Sequence, residues 1–127
     1  MRVALDTNRY ADLARGEQGI REIVARTERL FLPFVVLAEL RAGFRGGKQS
    51  LQNERMLTRF LQRDDVEILW ATESTTRTWA GLFLQLREAG TPIPQNDLWI
   101  AALVIENDLV LATRDAHFER LPQLSLI

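Results

Sequence analysis

The chain has 127 residues, of which 46% are hydrophobic and 26% are charged, and its formal net charge at neutral pH is −1. These values are ordinary for a soluble globular protein with one core. The chain has no excess of positive charge of the kind that would indicate a nucleic-acid partner. Cysteine is absent, which excludes a disulfide framework and a thiolate zinc site and is typical of a reducing compartment.

The first half of the chain alternates between short apolar segments and helical patterns. Residues 1–5 form an apolar strand that stops at the turn-forming residues 6–8. Helical periodicity follows and is interrupted at Gly16 and Gly19. The next predicted elements are a strand at residues 30–34, a helix at 35–42 that loosens at the glycines of positions 43, 46 and 47, and a helix at 51–61.

The second half continues the alternation. A strand is predicted at residues 66–69, followed by a long helix over 74–89 that ends at Gly90. The helix predicted at 96–106 is apolar on nearly every side, which indicates a buried position. A fourth strand is predicted at 109–112 and a fifth at 124–127.

This alternation predicts an α/β fold. We expect a central parallel sheet of four or five strands, flanked by helices on both faces. No repeat, low-complexity tract or linker interrupts the pattern, so residues 1–127 are interpreted as a single domain.

We expect a cytoplasmic protein without a membrane segment. The longest apolar run, residues 98–105, is far shorter than the roughly 20 residues that span a bilayer. Asp6 follows the first residue too closely to leave room for the apolar region of a signal peptide.

Four acidic residues stand at informative places. Asp6 ends the first predicted strand, Asp97 opens the buried helix, and Asp115 follows the fourth strand. Each of these three could simply cap the helix that follows it. Glu39 lies within a helix among apolar neighbours, where a carboxylate is costly unless it is paired or bound to a cation. An exposed helix edge or a partner arginine is the alternative for Glu39.

The acids are predicted to converge. Ligand sites in open α/β sheets lie beyond the carboxyl ends of the strands, where the sequence order places Asp6 and Asp115, and Asp97 can point into the same crevice. Converging carboxylates repel one another unless a divalent cation neutralises them, and hard oxygen ligands favour Mg²⁺ or Mn²⁺ over zinc. The single histidine, His117, is expected to pack or lie at the surface rather than join a metal cluster.

Arginines border these acids. All of the 16 basic residues except Lys48 are arginine, whose planar fork binds phosphate in a bidentate manner. Contacts with phosphate are therefore predicted for four positions near the acids: Arg9, Arg41, Arg45 and Arg114. The alternatives are a coding bias and ordinary surface ion pairs.

Four motifs carry a resemblance to a known family. They are Leu5-Asp6-Thr7-Asn8, Ala38-Glu39-Leu40, Asn96-Asp97-Leu98-Trp99-Ile100-Ala101-Ala102 and Thr113-Arg114-Asp115-Ala116-His117-Phe118. In this order, and over essentially the whole chain, they resemble the PIN domains of VapC toxins.

The resemblance implies a Mg²⁺- or Mn²⁺-dependent endoribonuclease that acts as the toxin of a toxin–antitoxin pair. It implies that one or two metal ions are held by the four acids Asp6, Glu39, Asp97 and Asp115. It further implies that the polar side chains of Asn8 and Thr113 support the acidic centre. A VapB-like antitoxin, whose segment enters the acidic groove, and a homodimer are also expected by resemblance.

Two other interpretations compete with the nuclease. A phospho-receiver-like signalling domain needs an acceptor Asp after a central strand and a late lysine, but Leu69 and Trp70 follow the third strand here and no late lysine exists. A catalytically silent domain that binds a metal or a partner stays open, because intact acids argue against it without excluding it.

Overall fold

The computed structural model describes residues 1–127 and contains five strands, six helices and one short 3₁₀ helix. The strands are β1 (Arg2–Leu5), β2 (Arg29–Pro33), β3 (Val66–Leu69), β4 (Val110–Ala112) and β5 (Ser125–Leu126). The helices are α1 (Thr7–Ala14), α2 (Gln18–Ala25), α3 (Phe34–Gly46), α4 (Ser50–Leu61), α5 (Glu73–Glu88) and α6 (Gln95–Glu106). The 3₁₀ helix is Ala116–Arg120, between β4 and β5.

The strands form one sheet in the order β3-β2-β1-β4-β5, and every neighbouring pair is parallel. The chain moves from β1 outward to β2 and β3, and then returns past β1 to β4. Because crossover connections are right-handed, these opposite directions place α1 to α4 on one face and α5 and α6 on the other. The predicted parallel sheet, covered on both faces, is confirmed.

The sheet lies at the centre of the hydrophobic core. Val3, Ala4 and Leu5 of β1 are all completely buried. Consecutive burial, rather than alternation, is what a strand covered by helices on both faces requires. The prediction of a buried sixth helix is also confirmed, because residues 100–104 of α6 have almost no exposed surface.

Helix α3 is longer than the sequence pattern predicts. Phe34 begins the helix rather than ending the preceding strand, and the helix continues through Gly43 to Gly46. A glycine inside a helix costs only about 1 kcal/mol relative to alanine. Packing of α3 against α4 exceeds that cost, and the two helices form a hairpin joined by residues 47–49.

Helix α5 ends as predicted. Gly90 follows it with a φ of 72°, a left-handed conformation that glycine adopts without strain. None of the helices combines the length and the apolar character needed to cross a bilayer.

Candidate metal centre

The centre lies at the carboxyl ends of β1 and β4. These strands are neighbours, and the chain leaves them in opposite directions, which opens a crevice between the two connections. Asp6 follows β1 directly, and its backbone N–H donates to the carbonyl of Ala112, the last residue of β4 (3.3 Å). Thr113 and Asp115 follow on that side. The topology therefore brings residues more than 100 positions apart to one edge of the sheet.

Asp6 is buried, with 5% of its surface exposed. One carboxylate oxygen accepts from the backbone N–H of Arg9 (2.9 Å), which caps α1, and the other accepts from the hydroxyl of Thr113. Burial raises the pKa of Asp6, the two hydrogen bonds oppose that rise, and the charge of Asp115 adds to it. Asp6 thus caps a helix and also faces a second acid.

Asp115 is fixed by its own loop. Its backbone N–H donates to the Thr113 hydroxyl oxygen (2.9 Å), and its carboxylate accepts from the backbone N–H of His117 (2.9 Å). The second bond caps the 3₁₀ helix. Thr113 therefore connects Asp6 to Asp115 through one hydrogen bond to each residue.

Asp97 lies in the first turn of α6. Position 94, a proline, precedes the helix and no side chain caps it, so the alternative that Asp97 acts as the cap is wrong. The Asp97 carboxylate is half-buried. Burial raises its pKa, and the charges of Asp115 and Glu39 add to the rise, whereas the contact with His117 opposes it.

Glu39 is held by a threonine of α1. The Thr7 hydroxyl donates to the Glu39 carboxylate (2.6 Å) across 32 residues of sequence, in a half-buried position. This contact, with the electrostatic effect of Glu39 on Asp97, places the side chain with the other acids. The alternative of an arginine partner for Glu39 is wrong, since no salt bridge of the chain includes it.

His117 joins the acids, contrary to the prediction that it lies outside the cluster. Its Nδ1 atom is 3.1 Å from Asp97 Oδ2 and 3.2 Å from Asp115 Oδ1. One ligand atom from each of these three residues lies within 4.8 Å of the other two. The contact with Asp97 is a hydrogen bond, and the three ligand atoms are close enough together to share one divalent cation. The histidine two positions after Asp115 was the available signal in the sequence.

Asn8 does not have the predicted supporting role in this structure. Its side chain is exposed and forms no hydrogen bond to any of the acids. Thr7, one residue earlier, makes the supporting contact instead, because it faces α3 from the first turn of α1. Both residues are polar and adjacent, so the sequence alone could not choose between them.

Two of the four predicted phosphate-binding arginines are bound to an acid that the sequence did not single out. Arg9 is buried and its guanidinium lies 3.0 Å from Asp12 Oδ2. Arg114 donates to both carboxylate oxygens of Asp12 (2.8 and 3.0 Å). The guanidinium groups of Arg9 and Arg114 are therefore both paired with Asp12. This agrees with the alternative that these arginines form ordinary ion pairs.

The other two predicted arginines lie on α3. Arg41 donates to Glu54 of α4 (3.0 Å), which links the two helices. Arg45 is exposed, and no acidic group of the chain pairs with it. Of the four, only Arg45 keeps a fully available guanidinium.

The donor set is suited to a hard divalent cation. The carboxylates of Asp6, Asp97 and Asp115 and the imidazole of His117 are linked by direct contacts or by the effect of one charge on another. A fourth carboxylate, that of Glu39, borders them. Burial raises the pKa values of Asp6 and Asp97, and a bound divalent cation would offset the cost of their negative charge. These residues therefore fit a metal centre.

Comparisons with known proteins agree with this geometry. The PIN domain family model matches residues 3–124. The chain is 31% identical to ribonuclease VapC5 of Mycobacterium tuberculosis over 117 residues, covering 92% of this chain and 85% of that protein. It is 33% identical to ribonuclease VapC2 of Rickettsia felis over 106 residues, covering 83% and 78% respectively.

Solved structures are similar over the whole chain. The crystal structure of VapBC2 from Rickettsia felis, bound to a DNA fragment from their promoter, matches with a TM-score of 0.86 and 29% identity, covering 100% of this chain and 98% of that one. VapBC-5 from Mycobacterium tuberculosis, a member of the VapBC family of toxin–antitoxin systems, matches with a TM-score of 0.73 and 28% identity, covering 99% and 97%. Since sequence and structure agree over nearly its full length, the chain belongs to the PIN domain family and is a member of its VapC group.

Proposed function

We propose that this protein is a metal-dependent endoribonuclease that hydrolyses RNA phosphodiester bonds. The observation that carries the proposal is the convergence of Asp6, Glu39, Asp97 and Asp115 at the crevice between β1 and β4. The similar proteins VapC5 and VapC2 are named ribonucleases, which supports the same activity for this chain.

In this proposal the four acids hold one or two divalent cations, with His117 as a further donor. Oxygen donors in this number favour Mg²⁺ or Mn²⁺, and the imidazole favours Mn²⁺ of the two. A bound cation supplies Lewis-acid stabilisation of the negative charge that develops on the phosphate oxygens.

Other groups of the chain orient the acids that would hold the cation. Thr113 and the backbone N–H of Arg9 orient Asp6, and Thr7 orients Glu39. Burial raises the pKa of Asp97 and makes its uncompensated charge costly, so Asp97 would hold the divalent cation, beside which a water would attack the phosphorus. Attack by that water breaks the bond between phosphorus and the 3′ oxygen, so the products carry a 5′-phosphate and a 3′-hydroxyl.

We further propose that the protein acts in the cytoplasm as the toxin of a toxin–antitoxin pair, with residues 1–127 as one functional domain. The similar VapBC-5 structure is of a toxin–antitoxin system, which supports a VapB-like antitoxin as the partner here. A homodimer is part of the proposal. Size-exclusion chromatography with light scattering, on the chain alone and with the antitoxin added, measures both assemblies, and a strict monomer in both samples contradicts them.

The activity is tested with labelled RNA and purified protein. We expect cleavage with added Mg²⁺ or Mn²⁺ and none with chelator. Asp97→Asn removes a charge without changing the volume, and we expect at least a hundredfold loss of cleavage, while the exposed Asp64→Asn serves as the matched control. Wild-type protein that binds Mn²⁺ and cleaves no RNA supports the catalytically silent alternative.

A further inference from the structure

Residues 40–62, from the middle of α3 to the end of α4, carry a local excess of positive charge. Residues 40–62 contain five cations and one acid, Glu54, although the whole chain has a net charge of −1. The remainder of the chain is therefore acidic. This separation of charge produces a local positive field that the overall charge conceals.

An open groove of about 540 Å³ lies on this hairpin, and we call it the basic groove. It is lined by six residues: Lys48, Gln49, Leu51, Gln52, Arg55 and Arg59. The three cations are exposed, and none of them forms a salt bridge. Glu54, which could have neutralised them, is bound to Arg41 instead.

The basic groove is connected to the acidic centre through one helix. Glu39 and Arg45 both lie on α3, and the helical rise places them about 9 Å apart along its axis. The ion pair between Arg41 and Glu54 fixes α4, and hence Arg55 and Arg59, against α3. The basic groove begins at Lys48, after the end of α3, so a ligand that contacts both Glu39 and the groove must extend along the hairpin.

We propose that the basic groove binds the phosphate backbone of an RNA strand whose scissile bond lies at the acidic centre. This inference rests on the proposed function, and it defines the substrate as a chain of several nucleotides. Guanidinium forks bind phosphate oxygens in a bidentate manner, the lysine adds a point charge, and the two glutamines donate amide hydrogens. These contacts hold the strand without reading its bases.

The lining favours RNA over the other anionic partners. A protein interface needs an apolar or aromatic centre, and Leu51 is the single hydrophobic residue of the groove. A membrane-bound helix needs a free apolar face, whereas Leu57 of α4 is completely buried in the core. Phosphate is the anion that this surface of separate, exposed donors matches.

Binding of fluorescein-labelled single-stranded RNA of about 20 nucleotides tests the proposal, with chelator present to prevent cleavage. We expect the double variant Arg55→Gln/Arg59→Gln to raise Kd about tenfold. A hydrogen bond between charged groups contributes more free energy than one between neutral groups, and the variant loses the charged donors. The plot of log K against log salt becomes shallower by about 1.4, the value for two lost phosphate contacts. The control Arg21→Gln/Arg26→Gln removes two exposed, unpaired arginines, one in α2 and one at its C-cap, and keeps wild-type binding.

Cleavage kinetics provide the second measurement. With Mn²⁺ we expect the groove variant to raise KM for the long RNA with little change in kcat, and to leave cleavage of a trinucleotide unchanged. Equal RNA binding by wild type, groove variant and control overturns the proposal. So does a groove variant that binds RNA normally but has lost binding to phosphatidylserine vesicles or to polyglutamate. RNA binding that depends on Arg55 and Arg59 in a protein without cleavage activity contradicts the proposed function and supports the groove.

Discussion

Arg114 donates two hydrogen bonds to the carboxylate of Asp12, at 2.8 and 3.0 Å. Asp12 lies on α1 and is buried, and Arg114 lies between Thr113 and Asp115 in the loop after β4. The pair therefore joins the two segments that carry the acids of the candidate metal centre. Arg9 and Arg15 contact the same carboxylate, so one acid organises three arginines.

Replacing Asp12 by asparagine tests this arrangement. We expect the free energy of unfolding to fall by about 2–3 kcal/mol, because the buried Arg9 loses the nearer of its two acidic partners and keeps only Glu17 at 3.6 Å. The other two arginines are partly exposed and contribute less. Urea denaturation measures the change. The control Asp65→Asn removes an exposed ion pair with Arg63 and costs at most about 1 kcal/mol. Equal losses in the two variants contradict a special role for Asp12.

The stability of the metal-free protein should depend on pH through two opposite effects. Hydrogen bonds from Arg114 lower the pKa of Asp12, so its stabilisation is present at neutral pH and is lost as the pH falls through that lowered value, below 3.8. Burial raises the pKa of Asp97, so its ionised form destabilises the fold at neutral pH, and this cost disappears as the pH falls below the raised value.

Asp97→Asn separates these effects when chelator is present. We expect the variant to be about 1 kcal/mol more stable than wild type at pH 7. The difference should shrink as the pH falls through the raised pKa of Asp97 towards the ordinary value of 3.8, because the carboxyl group becomes neutral in the folded protein. Thermal unfolding followed by circular dichroism between pH 7 and 4 measures it. A variant that is less stable than wild type at pH 7 shows that burial of this charge is not costly.

The contact between Thr7 and Glu39 predicts different roles for two adjacent polar residues. Thr7→Val removes the hydroxyl that orients Glu39, and we expect kcat to fall about tenfold. Asn8→Ala should leave cleavage unchanged, because the Asn8 side chain is exposed and contacts none of the acids. RNA cleavage by the two variants under saturating Mn²⁺ gives the comparison. A larger defect in Asn8→Ala reverses the assignment.

The position of His117 predicts an effect on metal affinity. We expect His117→Gln to raise Kd for Mn²⁺ about tenfold or more, because its ring nitrogen lies beside Asp97 and Asp115. Isothermal titration with Mn²⁺ alone measures this without any substrate. The effect should be smaller for Mg²⁺, which prefers oxygen ligands. Unchanged affinity for both ions shows that His117 stays outside the metal centre.

The order and type of the elements could be predicted from the sequence because they depend on local patterns. Continuous apolar segments indicate strands covered on both faces, and the apolar run of α6 indicates its burial. Errors are confined to boundaries such as Phe34 and Gly43, where packing of α3 against α4 exceeds a small local preference.

The convergence of the acids could also be predicted, since parallel strands place the residues that follow them at one edge of the sheet. The partners of individual side chains could not. Arg9 and Arg114 bind Asp12 rather than an open surface, Thr7 rather than Asn8 contacts Glu39, and His117 meets two acids. Sequence spacing determines which edge a residue reaches, whereas a hydrogen bond depends on distances within an ångström that only the packed tertiary structure decides.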